Sequence, residues 1–327
     1  MKTLKVANTD LEVSQIAYGC MTIGGSWDNS PLSEETIKKA IRSIREAMDQ
    51  GISFFDHADI YTYGKSEEAF SFIWNESASL REKIILQTKC GIRFGGIPKA
   101  EDPQRYDFSY SHIMNSVDNS LKRLKTDYID ILLLHRPDPL VEPEEVAKAF
   151  DELHNSGKVR YFGVSNHNAM QIELLKGYVK QPLIVNQLEL NILHSDLIES
   201  GIITNQRYPT DRHIRGDGTL EYCRLNNITI QAWGSLANGL LTGRHTDNKD
   251  EKIERTYKLV SQFAEKKNVS PEAIVIAWIL RHPAKIQPVI GTTNPERIRA
   301  CCQADKVELS REEWYALFSE GRGAMMP

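Results

Sequence analysis

The sequence predicts an α/β fold, a (β/α)8 TIM barrel with an N-terminal β-hairpin and extra C-terminal helices. Three observations predict it. Short β-rich apolar runs alternate with longer amphipathic segments, which implies parallel strands joined by right-handed helical crossovers. Eight such units of about 30 to 55 residues fill the chain, as a barrel requires. The competing closure, a doubly wound sheet that binds a dinucleotide, needs Gly-x-Gly-x-x-Gly after an early strand. The nearest candidate, Gly19…Gly24-Gly25, has the wrong spacing.

Residues 4–13 alternate like a small hairpin with its turn at Asn8-Thr9-Asp10, ahead of a first strand at 16–18. Ser33 is placed to cap a helix on Ile37, Ala40, Ile41, Ile44 and Met48, which Gly51 stops. Strand 52–55, helix 67–74, strand 83–87 and helix 111–124 follow. Residues 129–134 hold no polar side chain after Asp130, as expected of a strand covered on both faces. Helix 143–156 opens on a proline and stops at Gly157, the usual asymmetry of helix ends. Strand 159–164, helix 169–178, strand 183–186, helix 219–226 and strand 228–232 continue the pattern. Helices 250–267 and 271–281, strand 287–290, helix 295–301 and a tail helix at 309–319 complete it.

Length alone suggests roughly two domains, but no Pro/Gly/Ser-rich linker or charge block marks a boundary in the 327 residues. Residues 1–327 are therefore expected to form a single barrel domain. Two long connections, 91–110 and 188–218, fall on the C-terminal rim, where barrels place their active sites. The first carries Phe94, Tyr106, Phe108 and Tyr110, and the second Arg207, Arg212, His213 and Arg215. The first suits an apolar wall over the pocket or a solvated loop equally well; the second suits the attraction of an anionic substrate less well than an exposed insertion with scattered charge, and the tail helix around Trp314 and Phe318 closes either the pocket or the barrel.

With 41% hydrophobic and 26% charged residues the chain reads as a soluble globular protein. Its 40 basic and 44 acidic residues leave −4, which gives no footprint for nucleic acid or an anionic membrane surface. Five cysteines, at 20, 90, 223, 301 and 302, show no C-x-x-C and read as reduced thiols. No metal-binding spacing is present. Residues 1–25 lack the apolar run of a signal peptide and no stretch is long enough to span a bilayer, so the expected location is the cytoplasm.

The informative feature is positional. Seven consecutive strands end in Asp56, Lys89, His135, Ser165-Asn166, Gln187, Trp233 and Gly291, all delivered to one rim. Asp56, Lys89, His135 and a nearby tyrosine contain no serine or cysteine nucleophile. A carboxylate keeps the ammonium charged, the ammonium favours the phenolate, and the histidine hydrogen-bonds a substrate oxygen. Such a set suits proton donation to a carbonyl oxygen as hydride reaches the carbon. None of these side chains supplies a hydride, so a redox cofactor is required.

The run Gly51-Ile52-Ser53-Phe54-Phe55-Asp56-His57-Ala58-Asp59-Ile60-Tyr61 resembles the aldo-keto reductase signature Gly-x-x-x-Phe-Asp-x-Ala-x-x-Tyr. Further matches run in the family's order: Thr88-Lys89, residues 131–138, Gly157–Arg160, Gly163–Asn166, Asn186-Gln187, Trp233 and Ile290-Gly291-Thr292. The resemblance implies that Tyr61 is the general acid, that Lys89 lowers its pKa, that Asp56 holds Lys89 and that His135 orients the carbonyl. The five-residue step from Asp56 selects Tyr61 and leaves Tyr63 on the rim.

It also implies a cofactor site. Ser165, Asn166 and Gln187 match the positions that bind the nicotinamide carboxamide, and Trp233 the platform under the ring. Met21 and Thr22 lie where the first loop touches the cofactor. Ser235, Leu236, Gly239 and Leu241 match the loop across the pyrophosphate, with Arg244 assisting. Gly291, Thr292, Thr293 and Arg297 suit an adenosine 2′-phosphate at a helix start. The family's following Glu-Asn pair is replaced by Ala300-Cys301, and Arg297 favours NADP over NAD.

The reading is an NADP(H)-dependent carbonyl reductase acting, as a monomer, on a small-molecule substrate. Two other classes fit the scaffold: a cofactor-binding sensor with little turnover, and a Schiff-base aldolase using Lys89.

Overall fold

The computed structural model describes residues 1–203, 218–243, 250–324 and 326. It opens with β1 (Thr3–Lys5) and β2 (Glu12–Ser14), which pair antiparallel with Leu4 opposite Val13. The barrel begins with β3 (Ala17–Gly19), α1 (Glu34–Asp49), β4 (Phe54–Asp56), α2 (Lys65–Ser71) and β5 (Ile85–Cys90). A short antiparallel pair, β6 (Ile92–Arg93) and β7 (Arg105–Tyr106), precedes α3 (Tyr110–Leu124) and β8 (Ile129–Leu134). Then come α4 (Pro143–Asn155), β9 (Val159–Ser165), α5 (Ala169–Lys176), β10 (Leu183–Glu189), α6 (Asp196–Ile202), α7 (Thr219–Leu225) and β11 (Thr229–Trp233). The chain closes with α8 (Glu251–Lys267), α9 (Pro271–Leu280), β12 (Gln287–Ile290), α10 (Pro295–Cys302) and α11 (Arg311–Arg322).

Eight parallel strands close the barrel in the order β3-β4-β5-β8-β9-β10-β11-β12, with β12 paired back to β3 through Val289–Ala17 and Ile290–Tyr18. The predicted eightfold barrel and its front hairpin are both present. All six residues of β8 are buried, as its apolar run requires of a strand with a helix outside and a packed barrel inside.

Local chemistry explains the boundaries. Ser33 Oγ accepts from the Thr36 amide to start α1, and Pro143 occupies the first turn of α4. Capping boxes start α5 at Asn168/Gln171 and α11 at Ser310/Glu313. The helix expected at 67–74 begins two residues earlier and ends at Ser71, with a 3₁₀ turn over Phe72–Asn75. Gly64, at φ +86°, reverses the chain ahead of Lys65 and so sets the earlier start.

The hairpin plugs the N-terminal mouth. Val6, Leu11 and Val13 pack with Phe54, Ile131, Leu133 and Val185 from the strands. α11 caps the outer layer: Trp314 stacks on Trp278 of α9 at 5.2 Å, and each indole N–H donates to the other residue's carbonyl. All five cysteines are free and buried. No described helix is long and apolar enough to cross a membrane.

Candidate active site

The C-terminal end of β4 places Asp56 inside the barrel, and two strand-like hydrogen bonds tie the chain just beyond it to β5. The His57 amide donates to Gln87 O at 2.8 Å and the Asp59 amide to Lys89 O at 3.0 Å. The Tyr61 amide then donates to Ala58 O, starting the 3₁₀ turn Tyr61–Gly64. Thr62 and Tyr63 sit at φ +48° and +58°, so the two successive tyrosines part company. Tyr61 turns into the barrel mouth. Tyr63, 43% exposed, packs on Phe94 at 4.8 Å and on Trp27 at 6.2 Å.

Lys89, 1% exposed at the end of β5, is the centre of the site. Its Nζ donates to both carboxylate oxygens of Asp56 at 2.8 Å, to His57 O at 2.8 Å and to the Tyr61 hydroxyl at 3.1 Å. An ammonium has no acceptor, so the Tyr61 oxygen receives this bond and its own proton points elsewhere. His135 stands on the other side of Tyr61, its ring edge-on at 6.0 Å between centroids. The four residues expected to act together are brought together.

Burial and charge oppose each other here. Burial acts most strongly on the Lys89 charge and against it, but Asp56 and Tyr61 together outweigh it and hold the ammonium above its ordinary pKa. Burial pushes the Tyr61 phenol up, and the Lys89 charge opposes it without reversing it, so Tyr61 titrates above the ordinary tyrosine value. The sequence expectation weighed the ammonium alone; desolvation is the larger influence in this site. Burial, reinforced by Lys89 and Arg136, holds His135 well below its usual range, so the imidazole is neutral. Burial also pulls His57 down to about 3, beneath the ring of Phe70.

The positions assigned to a nicotinamide lie beside this group. Asn166, at φ +61°, donates to His135 O and Ser165 Oγ and accepts from the Trp233 indole at 3.1 Å. Ser165 Oγ donates to Gln187 O at 2.8 Å. Asn166 therefore fixes the half-buried Trp233 ring rather than standing free. Gln187 gives its amide N–H to Gln231 and keeps Oε1 as an acceptor.

The remaining positions are more varied. Met21 and Thr22 are exposed on the β3–α1 loop, and Met21 O accepts from Ser66 Oγ. Ser235 is buried and bonded to Ala232 O and Val289 O, while Leu241 is wholly buried and Leu236 half so. Gly239 turns the chain at φ +84°. Arg244 lies outside the described residues, as do Arg207, Arg212, His213 and Arg215.

At the start of α10 the site is already partly engaged. Asn294 Oδ1 caps the amides of Glu296 and Arg297, and Thr292 Oγ1 accepts from the Asn294 amide. Arg297 is tied to Glu272 at 3.2 Å and to Thr242 Oγ1 at 2.7 Å. Thr293 is half-exposed beside it, and nothing lies within 4 Å of a Cβ placed on Gly291.

The two long connections resolve differently from each other. Of the aromatics at 91–110, Phe94 joins the rim with Trp27 and Tyr63, whereas Phe108 is buried and stacks on His167. Tyr106 is exposed in β7, and the Tyr110 hydroxyl donates to Glu152. In the second connection α6 packs under the tail helix, where Arg322 pairs with Glu199 at 3.0 Å.

Sequence reasoning missed a polar layer beneath the site: Gln87, Gln231 and Gln287, all fully buried inside the barrel. A period-two signal was available for the first two. Gln87 and Gln231 stand two residues before Lys89 and Trp233, and so on the same strand face.

Comparison with known proteins agrees with this geometry. The model of the aldo/keto reductase family matches residues 15–319. The chain is 36% identical to the uncharacterized oxidoreductase YcsN of Bacillus subtilis, with the whole of both chains covered. It is 35% identical to a 6-dehydroglucose reductase of Agrobacterium fabrum over 96% of this chain and 97% of that one. Among solved structures, the glycerol dehydrogenase AKR11B4 from Gluconobacter oxydans matches with a TM-score of 0.80 at 26% identity, covering 97% and 94% of the two chains. The chain belongs to the aldo/keto reductase family and is a nicotinamide-dependent oxidoreductase of small-molecule carbonyl compounds.

Proposed function

We propose that the protein reduces aldehyde or ketone carbonyls to alcohols with NADPH, and that Tyr61 is the proton donor. The observation that carries this is the one-directional bond from Lys89 to Tyr61. It leaves the Tyr61 proton free for an acceptor in the barrel mouth. A neutral His135 beside it donates to the same carbonyl oxygen and fixes its position. Asp56 holds Lys89 charged and in place, so the positive charge faces the oxygen as it gains negative character. On loss of the proton, the Tyr61 phenolate is stabilised by the same ammonium. In alcohol oxidation the roles reverse, with the phenolate as base.

The chain fits a nicotinamide dinucleotide. Gln187 Oε1 suits the carboxamide N–H, Trp233 offers a ring face fixed by Asn166, and Gly291 leaves open space at the adenosine end. When bound, the reduced cofactor supplies the hydride to the carbonyl carbon. Thr292, Thr293 and the third guanidinium nitrogen of Arg297 favour a 2′-phosphate, hence NADPH over NADH.

Lys89 is a poor candidate for Schiff-base chemistry. Its ammonium is fully engaged and held charged, whereas a nucleophilic lysine needs a lowered pKa. Residues 1–327 act as one barrel domain, as a monomer in the cytoplasm.

The test is loss of NADPH absorbance with 4-nitrobenzaldehyde, methylglyoxal and glyceraldehyde, the last because named relatives handle hydroxylated compounds. Turnover with at least one carbonyl is expected. NADPH binding with no turnover on any would replace this reading with that of a cofactor-binding sensor.

A further inference from the structure

Four buried glutamines form a hydrogen-bonded chain across the barrel interior. Gln87 Nε2 on β5 donates to Asp56 Oδ1 at 2.6 Å and to Gln231 Oε1 on β11 at 2.8 Å. Gln187 Nε2 on β10 donates to the same Gln231 oxygen at 3.0 Å. Gln231 Nε2 donates to Gln287 Oε1 at 2.9 Å, and Gln287 Nε2 to Ser14 O at 2.8 Å. None is more than 2% exposed. β5 and β11 stand on opposite sides of the barrel, so the Gln87–Gln231 bond spans its interior.

The direction of every amide is fixed from both ends. Asp56, a carboxylate, accepts only, so Gln87 must turn its NH₂ toward it, and its second N–H then requires an oxygen on Gln231. From the other end, the Ser14 carbonyl accepts only, so Gln287 presents NH₂ there and its oxygen to Gln231 Nε2. Both constraints give the same orientation of Gln231. Gln87 uses both N–H groups while its buried Oε1 has no partner. An unmet buried acceptor costs about 1–3 kcal/mol, so an aliphatic layer of equal volume is the cheaper way to fill this space. The amides therefore serve orientation better than stability.

We propose that Gln231 is a positioning residue, the junction that locks Gln187 and the Asp56–Lys89 pair into one unit. Its single oxygen anchors Gln87, which steadies the carboxylate holding Lys89 against Tyr61. The same oxygen takes one Gln187 N–H, so the Gln187 amide meets a nicotinamide carboxamide in one fixed orientation. Gln231 thus touches neither Tyr61 nor the cofactor but sets both. The proposal rests on the reductase reading.

The test uses full-length wild type, Gln231→Met, Gln87→Met and Gln287→Met. NADPH affinity is read by fluorescence titration. The alkaline limb of NADPH-dependent reduction is read with the fastest of the three carbonyls. Gln231→Met is expected to weaken NADPH binding about 3- to 10-fold, the loss of about one hydrogen bond. It should also move the alkaline limb up by about half a pH unit or more, because a loosened Lys89 stabilises the Tyr61 phenolate less. Gln87→Met should move the limb with affinity within about twofold of wild type. Gln287→Met, an equal loss of a buried amide on the far side of the junction, should move neither.

Unmoved limb and affinity in a folded Gln231→Met overturn the proposal, as do equal effects from Gln287→Met. If Gln231→Met does not fold, Gln87→Met decides: a moved limb supports the chain and an unmoved one overturns it. A wild type that turns over no carbonyl overturns the reductase reading and this proposal together. Turnover with an unmoved Gln231→Met overturns this proposal alone.

Discussion

Lys89 Nζ reaches the Tyr61 hydroxyl across 3.1 Å while gripped by both oxygens of Asp56 at 2.8 Å. The pair is buried on both sides, so each charge depends on the other. Lys89→Met leaves Asp56 as an unpaired buried carboxylate and is expected to destabilise the fold by about 3–5 kcal/mol. The double variant Lys89→Met/Asp56→Asn should regain most of that while remaining inactive. Denaturant unfolding of the three proteins, beside their reductase rates, checks both statements.

Gly24 controls the loop that carries Tyr61. A Cβ there would lie 2.1 Å from Thr62 Oγ1 and 2.5 Å from the Ser66 amide, so Gly24→Ala must displace the turn after Tyr61. A shift of even about 1 Å at the acid lowers kcat by about 10²-fold. Steady-state kinetics should show that loss, with NADPH affinity changed far less.

The buried histidines should remove stability as acid is added, against Asp59, whose carboxyl burial pushes up to about 7 and which gains its proton in the same window. Burial holds His57 at about 3 and His167 at about 4 when folded, whereas an unfolded histidine titrates near 6.5. Below pH 6.5 the unfolded chain therefore binds more protons than the native one. The contribution is intact above about 6.5 and is lost as pH falls toward the folded values. Each histidine accounts for about 1–2 kcal/mol between pH 7 and 5. Unfolding in urea at pH 7.5 and 5.0 should show acid acting less favourably on wild type than on His57→Phe, by about 1–2 kcal/mol.

The Arg297 guanidinium proposed for the 2′-phosphate is paired with Glu272 at 3.2 Å. Arg297→Leu is expected to weaken NADPH binding about 10-fold, with NADH affected less than about twofold. Glu272→Gln releases the guanidinium and should raise the NADPH-to-NADH preference by about threefold. Fluorescence titration with the two cofactors distinguishes these outcomes.

The strand ends were legible because each apolar run gives way to a polar or aromatic side chain as it reaches the barrel mouth, as at Asp56, Lys89, His135, Gln187 and Trp233. The Asp56-to-Tyr61 spacing was legible as a motif, and the split between Tyr61 and Tyr63 became visible only through the φ angles of Thr62 and Tyr63. Contacts between distant residues carry no local periodicity. Arg297 with Glu272 and Phe108 with His167 are of this kind, so neither was foreseen. The glutamine layer was not foreseen, since only Gln87 and Gln231 carry a local signal, two residues before Lys89 and Trp233. The layer's meaning lies in register across the barrel, as in Gln187 opposite Gln231 and Gln231 opposite Gln287.

The central claim is that Tyr61, not Tyr63, gives the proton, and the direct measurement is NADPH-dependent reduction by Tyr61→Phe and Tyr63→Phe side by side. Tyr61→Phe is expected to lose about 10²- to 10⁴-fold in kcat with NADPH affinity retained. Tyr63→Phe keeps the ring that packs on Trp27 and Phe94 and should stay within about threefold of wild type. Full activity in Tyr61→Phe, or its loss in Tyr63→Phe, would contradict the account.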